Sequence, residues 1–406
     1  MNILFYQHQY PAFGGIETVT TMLACAFAAD GHGVAIVSSR SRPGTNLLDQ
    51  LPKGVRVHQL PEDEFESEKN RADLLGVLES FAPDVVMFQD SYAQIEGTLF
   101  AALESFRGVM PKIVIVEHSI PKVPVALGEI TLRDGVARIV RRIVGRILYP
   151  VRYWKSLRRE RRRRRYLYSH ADKYVFLSPR YKDMSNRIAG VDGGSKLAAL
   201  PNPVRQVTIP PDIVTKEKEI LYCGSLIPSK GVGRLIAIWS KLENRHTDWR
   251  FTIVGDGIER DELEKQVKAF GLKRVRFEGF QRETESYYHR ASILVMASSF
   301  EGWPMVLGEA MQQACLPVAY DSFASLYDIV EDGVSGRIIR AFRRSDFVAA
   351  LDSLMGDDAL RMRLQQGAMA KAAGYALPTI AKRWYELFES IGSRDVREVG
   401  KKYESV

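Results

Sequence analysis

The sequence predicts an α/β protein built from two doubly wound domains, each a parallel sheet covered by helices on both faces. Three observations predict it. Short β-branched apolar runs alternate with longer amphipathic stretches along the chain. Several of these runs, such as "KIVIVEH" and "SILVMASS", are apolar on both faces, as strands buried in a parallel sheet are. The alternation stops in "LPNPVRQVTIPPDIVTKEKE", where Pro201, Pro203, Pro210 and Pro211 remove donors and fix φ, and it restarts near residue 219.

In chain order, the strand candidates of the first half are "NILFYQH", "HGVAIVSS", "VRVHQL", "DVVMFQ", "KIVIVEH" and "KYVFLS". Those of the second half are "EILYCGS", "WRFTIVGD", "VRFEGF", "SILVMASS", "LPVAY" and "GRIIR". Helical patterns fall between most of them. The junction lies at about 200–218, which gives domains at 1–203 and 219–375. The stretch from Pro378, "PTIAKRWYELFESI", reads as one more helix.

At 406 residues the chain is long enough for two or three domains with cores of their own. Its 46% hydrophobic and 26% charged residues are those of a soluble globular protein. "MNILFYQH" has no basic leader region and no cleavage site, so no signal peptide is expected. No apolar run is long enough to span a bilayer. Cys25, Cys223 and Cys315 are odd in number and lie in apolar contexts, as free thiols of a reducing compartment do. A cytoplasmic location follows as the expectation.

The net charge of +8 is concentrated. Residues 133–165 hold thirteen Arg and one Lys against Asp134 and Glu160, a local charge of +12 that leaves the rest of the chain at −4. A protein that binds nucleic acid throughout spreads its charge more widely, so no nucleic-acid partner is expected.

The motifs sit at strand-to-helix turns, where ligands bind in open α/β sheets. Gly14 and Gly15 follow the first strand and precede a helix, letting backbone N–H groups approach an anion. A lone Gly-Gly is otherwise a plain tight turn. His118 ends another first-domain strand; alone, such a histidine is an ordinary loop residue. "YCGSLIPSKGVGRLI" sets Gly224, Ser225 and Lys230 ahead of a helix beginning near Gly231, with Lys230 placed to meet phosphate. Gly255 and Gly257 form a Gly-x-Gly without the third glycine of a dinucleotide fingerprint.

In "SSFEGWPMVLGEAM", seven residues separate Glu301 from Glu309. Pro304 suits the first helical position, so Glu301 falls in the loop and Glu309 in the helix. The N–H groups of Met305, Val306 and Leu307 are then unpaired at the helix start, a phosphate site. Carboxylates for hydroxyls at each end, with phosphate between, suit a nucleotide sugar.

On these motifs the chain resembles the retaining glycosyltransferases of family 4. The matching segments are "GGIE" at Gly14, His118, "GSL" at Gly224 with Lys230-Gly231, the pair Glu301 and Glu309, "LPNPV" and "DIVEDGVSGRII". The resemblance implies the GT-B fold: two Rossmann-like domains facing across a cleft, the first acceptor-side and the second holding the nucleotide sugar. It also implies a C-terminal helix, 376–395, packing back on the first domain. Implied roles follow. Glu309 bonds the ribose and Glu301 the donor sugar. The backbone of Gly302, Trp303, Pro304, Met305 and Val306, with Lys230, holds the diphosphate and sugar. Gly14 and Gly15 approach the phosphate from the opposite domain, and His118 lies near the reacting sugar. His118, Glu301 and Lys230 are thus the catalytic candidates. Ser225 stands where many members have arginine, which leaves more of the leaving-group charge to Lys230 and the helix dipole.

The activity the resemblance implies is transfer with retention from a nucleotide diphosphate sugar, UDP on family grounds, to a glycan or lipid-linked acceptor in bacterial cell-surface polysaccharide or lipopolysaccharide synthesis. No Asp-x-Asp motif occurs, so neither metal nor other cofactor is expected. The alternatives are a GT-B sugar-nucleotide epimerase and a non-enzymatic membrane- or nucleic-acid-binding module. Within the basic segment, 133–168, Val136, Ile139, Val140, Ile143, Val144, Ile147 and Leu148 recur at helical spacing between arginines until Pro150 breaks or kinks the pattern. This predicts docking of 136–165 on an anionic membrane, the inner face of the plasma membrane, with Arg161 to Arg165 at the contact. The plain alternative is a packed helix with its arginines in water.

Overall fold

The computed structural model describes residues 1–42, 44–64, 66–90, 95–123 and 135–392, with side chains described except at 90 and 135–149. The first domain is a seven-stranded sheet in the order β3-β2-β1-β4-β5-β6-β7. Its strands are β1 Asn2–Gln9, β2 Gly33–Arg40, β3 Arg56–Gln59, β4 Val85–Asp90, β5 Lys112–Glu117, β6 Lys173–Phe176 and β7 Leu197–Ala199. The second is a six-stranded sheet, β10-β9-β8-β11-β12-β13. Its strands are β8 Glu217–Cys223, β9 Arg250–Val254, β10 Val275–Gly279, β11 Ala291–Met296, β12 Leu316–Tyr320 and β13 Arg337–Ile339. All pairings are parallel. Both sheets are doubly wound and Rossmann-like, as the alternation requires. The strand missing from the sequence reading is β7, which is three residues long and sits at an edge, too short for a periodic signal.

Alternation along β1 splits the first core in two. Leu4 and Tyr6 enter one apolar layer, Ile3 and Phe5 the other. The second layer also takes Ile380, Trp384 and Phe388 from the helix Leu377–Ser390. That helix follows the second domain in sequence yet packs on the first, and Lys112 Nζ donates to the Phe388 carbonyl at 3.2 Å. Each buried aromatic or aliphatic side chain contributes about 1.5–3 kcal/mol. The chain therefore crosses between domains twice, and the crossings run side by side: Val204 N–H donates to the Tyr375 carbonyl at 2.9 Å.

The basic segment is one helix, Gly135–His170, that continues through Pro150. A proline costs its helix a hydrogen bond, about 3 kcal/mol; here the half after Pro150 is held by the domain. The apolar stripe at 136–148 lies outside the described side chains. The arginine run is not a solvated face. Arg164 is buried, its guanidinium bidentate on Glu117 at 2.8 Å from both oxygens and 2.6 Å from Ser185 Oγ. Arg163 pairs with Glu96 at 2.6 Å, Arg161 donates to the Ile188 carbonyl at 3.2 Å and Arg165 to that of Ala189 at 2.8 Å. Four of the five arginines thus bind the first domain, and Arg162 is exposed. The three cysteines are free; Cys315 is buried and the other two half-buried.

Candidate functional site

The carboxyl ends of both sheets face one cleft. In the second sheet β8 and β11 are neighbours, and the winding reverses between them. A ligand crevice opens at such a switch point. The turns after these two strands carry Lys230 and Glu301, which their pairing brings together: Lys230 Nζ donates to Glu301 Oε1 at 2.6 Å. Lys230 ends the short 3-10 turn Pro228–Lys230 and Gly231 follows with φ 66°, so the helix begins at Val232. Arg234, on that helix, donates to the Ala297 carbonyl at 2.9 Å and ties the two turns together.

Glu309 is the fifth residue of the helix Met305–Gln312. Pro304 precedes the helix in an extended conformation rather than starting it. Leu307 N–H is also not free, since a tight first turn gives it to the Pro304 carbonyl at 3.2 Å. That removes one of the three donors expected for phosphate. Burial raises the Glu309 carboxyl above its ordinary value, opposed by Arg205, 3.9 Å away, and by the Tyr288 hydroxyl, which donates at 3.2 Å.

Across the cleft, Gly14 caps the helix Gly15–Ala29, and Gly15 faces the Met305 side chain. Between the domains lies a cavity of about 340 Å³, walled by Gly14 and Gly15 from one side and Ser225, Met305, Val306 and Glu309 from the other. Phe13 and Phe280 meet edge to face over it, 5.4 Å apart. Arg205 and Arg282 add positive charge to the wall. Arg205, from the proline-rich junction, also lines an adjoining cavity of about 520 Å³. Sequence reasoning missed both arginines, because no local pattern distinguishes them from solvated loop residues.

Lys230, Glu301, Gly302, Trp303, Pro304 and His118 lie outside this cavity wall, grouped where the two domains touch. Trp303 turns its ring edge-to-face against Tyr375 at the chain crossing, 5.6 Å away. Gly302 passes so close to the first domain that a Cβ there would lie 2.3 Å from the His118 carbonyl oxygen. His118 itself shares a 2.5 Å hydrogen bond between Nε2 and Gln89 Oε1, the latter from the end of β4. Burial pushes its pKa down to about 4, so the ring is neutral at pH 7 and offers hydrogen bonds rather than charge. Gln89 was findable by the rule that located His118, since both end first-domain strands at the ligand edge. Gly255 and Gly257 have a packing role: side chains there would strike the Gly224 and Leu226 carbonyl oxygens at 1.9 and 2.4 Å.

Residues 13–206 match the family model described as Glycosyltransferase Family 4, and residues 208–371 match Glycosyl transferases group 1. An amylovoran biosynthesis glycosyltransferase, AmsD of Erwinia amylovora, is 30% identical over 42% of this chain and 48% of its own. An N-acetyl-D-galactosaminyltransferase of Campylobacter jejuni, named for a PP-undecaprenol glycan, is 27% identical over 43% of this chain and 49% of its own. The chain thus spans about half the length of these relatives. Among solved structures, Anabaena HepE in complex with UDP and glucose superposes with a TM-score of 0.73 at 17% identity, over 96% of this chain and 100% of that one. The two adjoining family models span residues 13–371 but for residue 207, and the chain belongs to glycosyltransferase family 4, on the GT-B fold.

Proposed function

We propose that this chain is a retaining, metal-independent glycosyltransferase that moves a sugar from a UDP-sugar to a glycan or lipid-linked acceptor in bacterial cell-surface polysaccharide or lipopolysaccharide synthesis. The observation that carries the reading is the cavity walled by both domains, with glycine backbone on one side and a helix start and Glu309 on the other. The second domain, 219–375, takes the nucleotide, with Glu309 on the ribose and Met305 and Val306 at the diphosphate. Lys230 and Glu301 meet the leaving group and donor sugar. The first domain, 1–203, presents the acceptor, and neutral His118 hydrogen-bonds the reacting sugar. HepE binding UDP and glucose supports the donor, and the AmsD and Campylobacter names support the acceptor class. The acceptor hydroxyl enters on the leaving-group side, with the phosphate helping to take its proton. Product mass spectrometry with a nucleotide-sugar panel and a membrane extract, with and without EDTA, tests this. Free nucleotide released without acceptor, or transfer abolished by EDTA and restored by Mg²⁺, overturns it.

Glu309→Gln is expected to weaken UDP binding by ten- to a hundredfold, the loss of one charge-assisted hydrogen bond, about 1.5–3 kcal/mol. Isothermal titration reads it; an unchanged affinity removes Glu309 from the ribose.

The same reading places the chain at an anionic membrane through residues 136–165. With Arg161, Arg163, Arg164 and Arg165 bound to the domain, the docking face is Val151, Arg152, Trp154, Lys155, Arg158, Arg159 and Arg162, all exposed. Positions 151, 154, 155, 158 and 162 share one helix face. Trp154, 57% exposed, is the apolar anchor. Each Lys or Arg near such a surface contributes about 1 kcal/mol, screened by salt. Changing Trp154 to Ala and Arg158, Arg159 and Arg162 to Ser is expected to release the protein from anionic vesicles and leave UDP binding intact. Equal co-sedimentation of both proteins rejects the docking face.

A further inference from the structure

Tyr181 is the second residue of the helix Arg180–Ala189 in the first domain, and its side chain is fully buried. Its hydroxyl reaches across the cleft into the turn after β11. There it donates to the Gly302 carbonyl at 2.8 Å and shares the same hydrogen with the Glu301 carbonyl at 3.1 Å. Burial pushes its pKa up to about 12, so it remains a donor throughout the working range. The contact is reinforced on both sides. Gly302 lies against the His118 carbonyl, where no side chain fits. Ser178 hydrogen-bonds Asp328, and Arg180 pairs with the same carboxylate at 3.6 Å.

We infer that Tyr181 is a positioning residue for sugar transfer, supplied by the first domain to hold the backbone of Glu301 and Gly302 in the second. The inference rests on the reading that this turn meets the donor sugar. Glu301 is anchored at its carboxylate by Lys230 of its own domain and at its carbonyl by Tyr181 of the other. The Tyr181 anchor is made only when the domains are together, so the turn is fully held on closure. The nucleotide end of the site is set differently. The helix bearing Glu309 is fixed by Leu307, Ala310 and Met311 in the core of its own domain. Loss of Tyr181 should therefore touch turnover and spare nucleotide affinity.

Tyr181→Phe keeps the ring and removes the hydroxyl. It is expected to lower kcat about tenfold, the limit for one ordinary hydrogen bond, with the UDP Kd and donor KM changed less than twofold. Ser178→Ala removes a contact of the same interface away from the turn, and kcat should change less than twofold. Adding Tyr181→Phe to Glu301→Gln should lower kcat no further, because the group being positioned is already gone. Wild-type kcat in Tyr181→Phe, an equal fall in Ser178→Ala, or full additivity with Glu301→Gln each overturns the assignment. No transfer by the wild-type chain with any donor overturns the underlying reading, and this inference with it.

Discussion

Lys230→Ala is expected to lower transfer by about 10²–10³-fold while the protein stays folded. Stabilising charge that develops on a leaving group is worth about 2.7–4 kcal/mol per well-placed donor. Lys230 sits at the switch point between β8 and β11, with its side chain only 28% exposed. It neutralises Glu301, whose side chain is 11% exposed. On the proposed reading the substitution removes the cation from the departing diphosphate, and it also leaves the Glu301 carboxylate without its Lys230 partner. Affinity for UDP should fall less than kcat, since Arg205 and Arg282 stay at the cavity wall. Steady-state kinetics with a purified acceptor reads the split. Wild-type turnover in Lys230→Ala would mean that those two arginines hold the diphosphate and Lys230 only braces Glu301.

Arg164→Ala is expected to destabilise the first domain by about 3–5 kcal/mol, the cost of leaving a buried carboxylate without its counter-charge. Arg164 pairs with Glu117 and with Glu160, 2.8 Å from its Nε, and Tyr174 completes the Glu117 shell at 2.9 Å. Burial alone would lower the Arg164 pKa; the Glu117 carboxylate outweighs it, and the net direction is upward. Glu160 is pushed up by burial, with Arg164 opposing. Arg162→Ala, two residues away on the exposed side, should stay within about 0.5 kcal/mol. Thermal denaturation of both variants separates them, with the midpoint of Arg164→Ala lower by roughly 10 °C or more. Equal midpoints would show that the run contributes nothing to the core.

The two variants also mark how far the sequence alone reached. Strand and helix periodicity, the proline-rich junction and the glycine pair ahead of a helix are local patterns. Each is imposed on neighbouring residues by pleat, helical turn or φ, and each was legible. So was the split between Glu301 in a loop and Glu309 in a helix, because a proline announces the helix start. The Pro304 position was off by one, since a proline serves equally as the residue before a helix. The arginine run misled because five identical letters carry no sign of which helix face packs. Only the fold turns Arg164 inward to Glu117 and leaves Arg162 in water.

By itself, the sequence determined two doubly wound parallel domains and the strand-to-helix turns that carry the candidate residues. The tertiary structure decided which of those turns meet. Lys230 and Glu301 lie 71 residues apart and touch because β8 and β11 are adjacent strands. Arg205 joins the cavity because the chain crosses between domains beside it. Tyr181 reaches Gly302 because the domains close on each other. Periodicity acts within a few residues, whereas strand order and burial act over the whole chain, so the partners of a charged or hydroxyl group are settled only when the sheets are assembled.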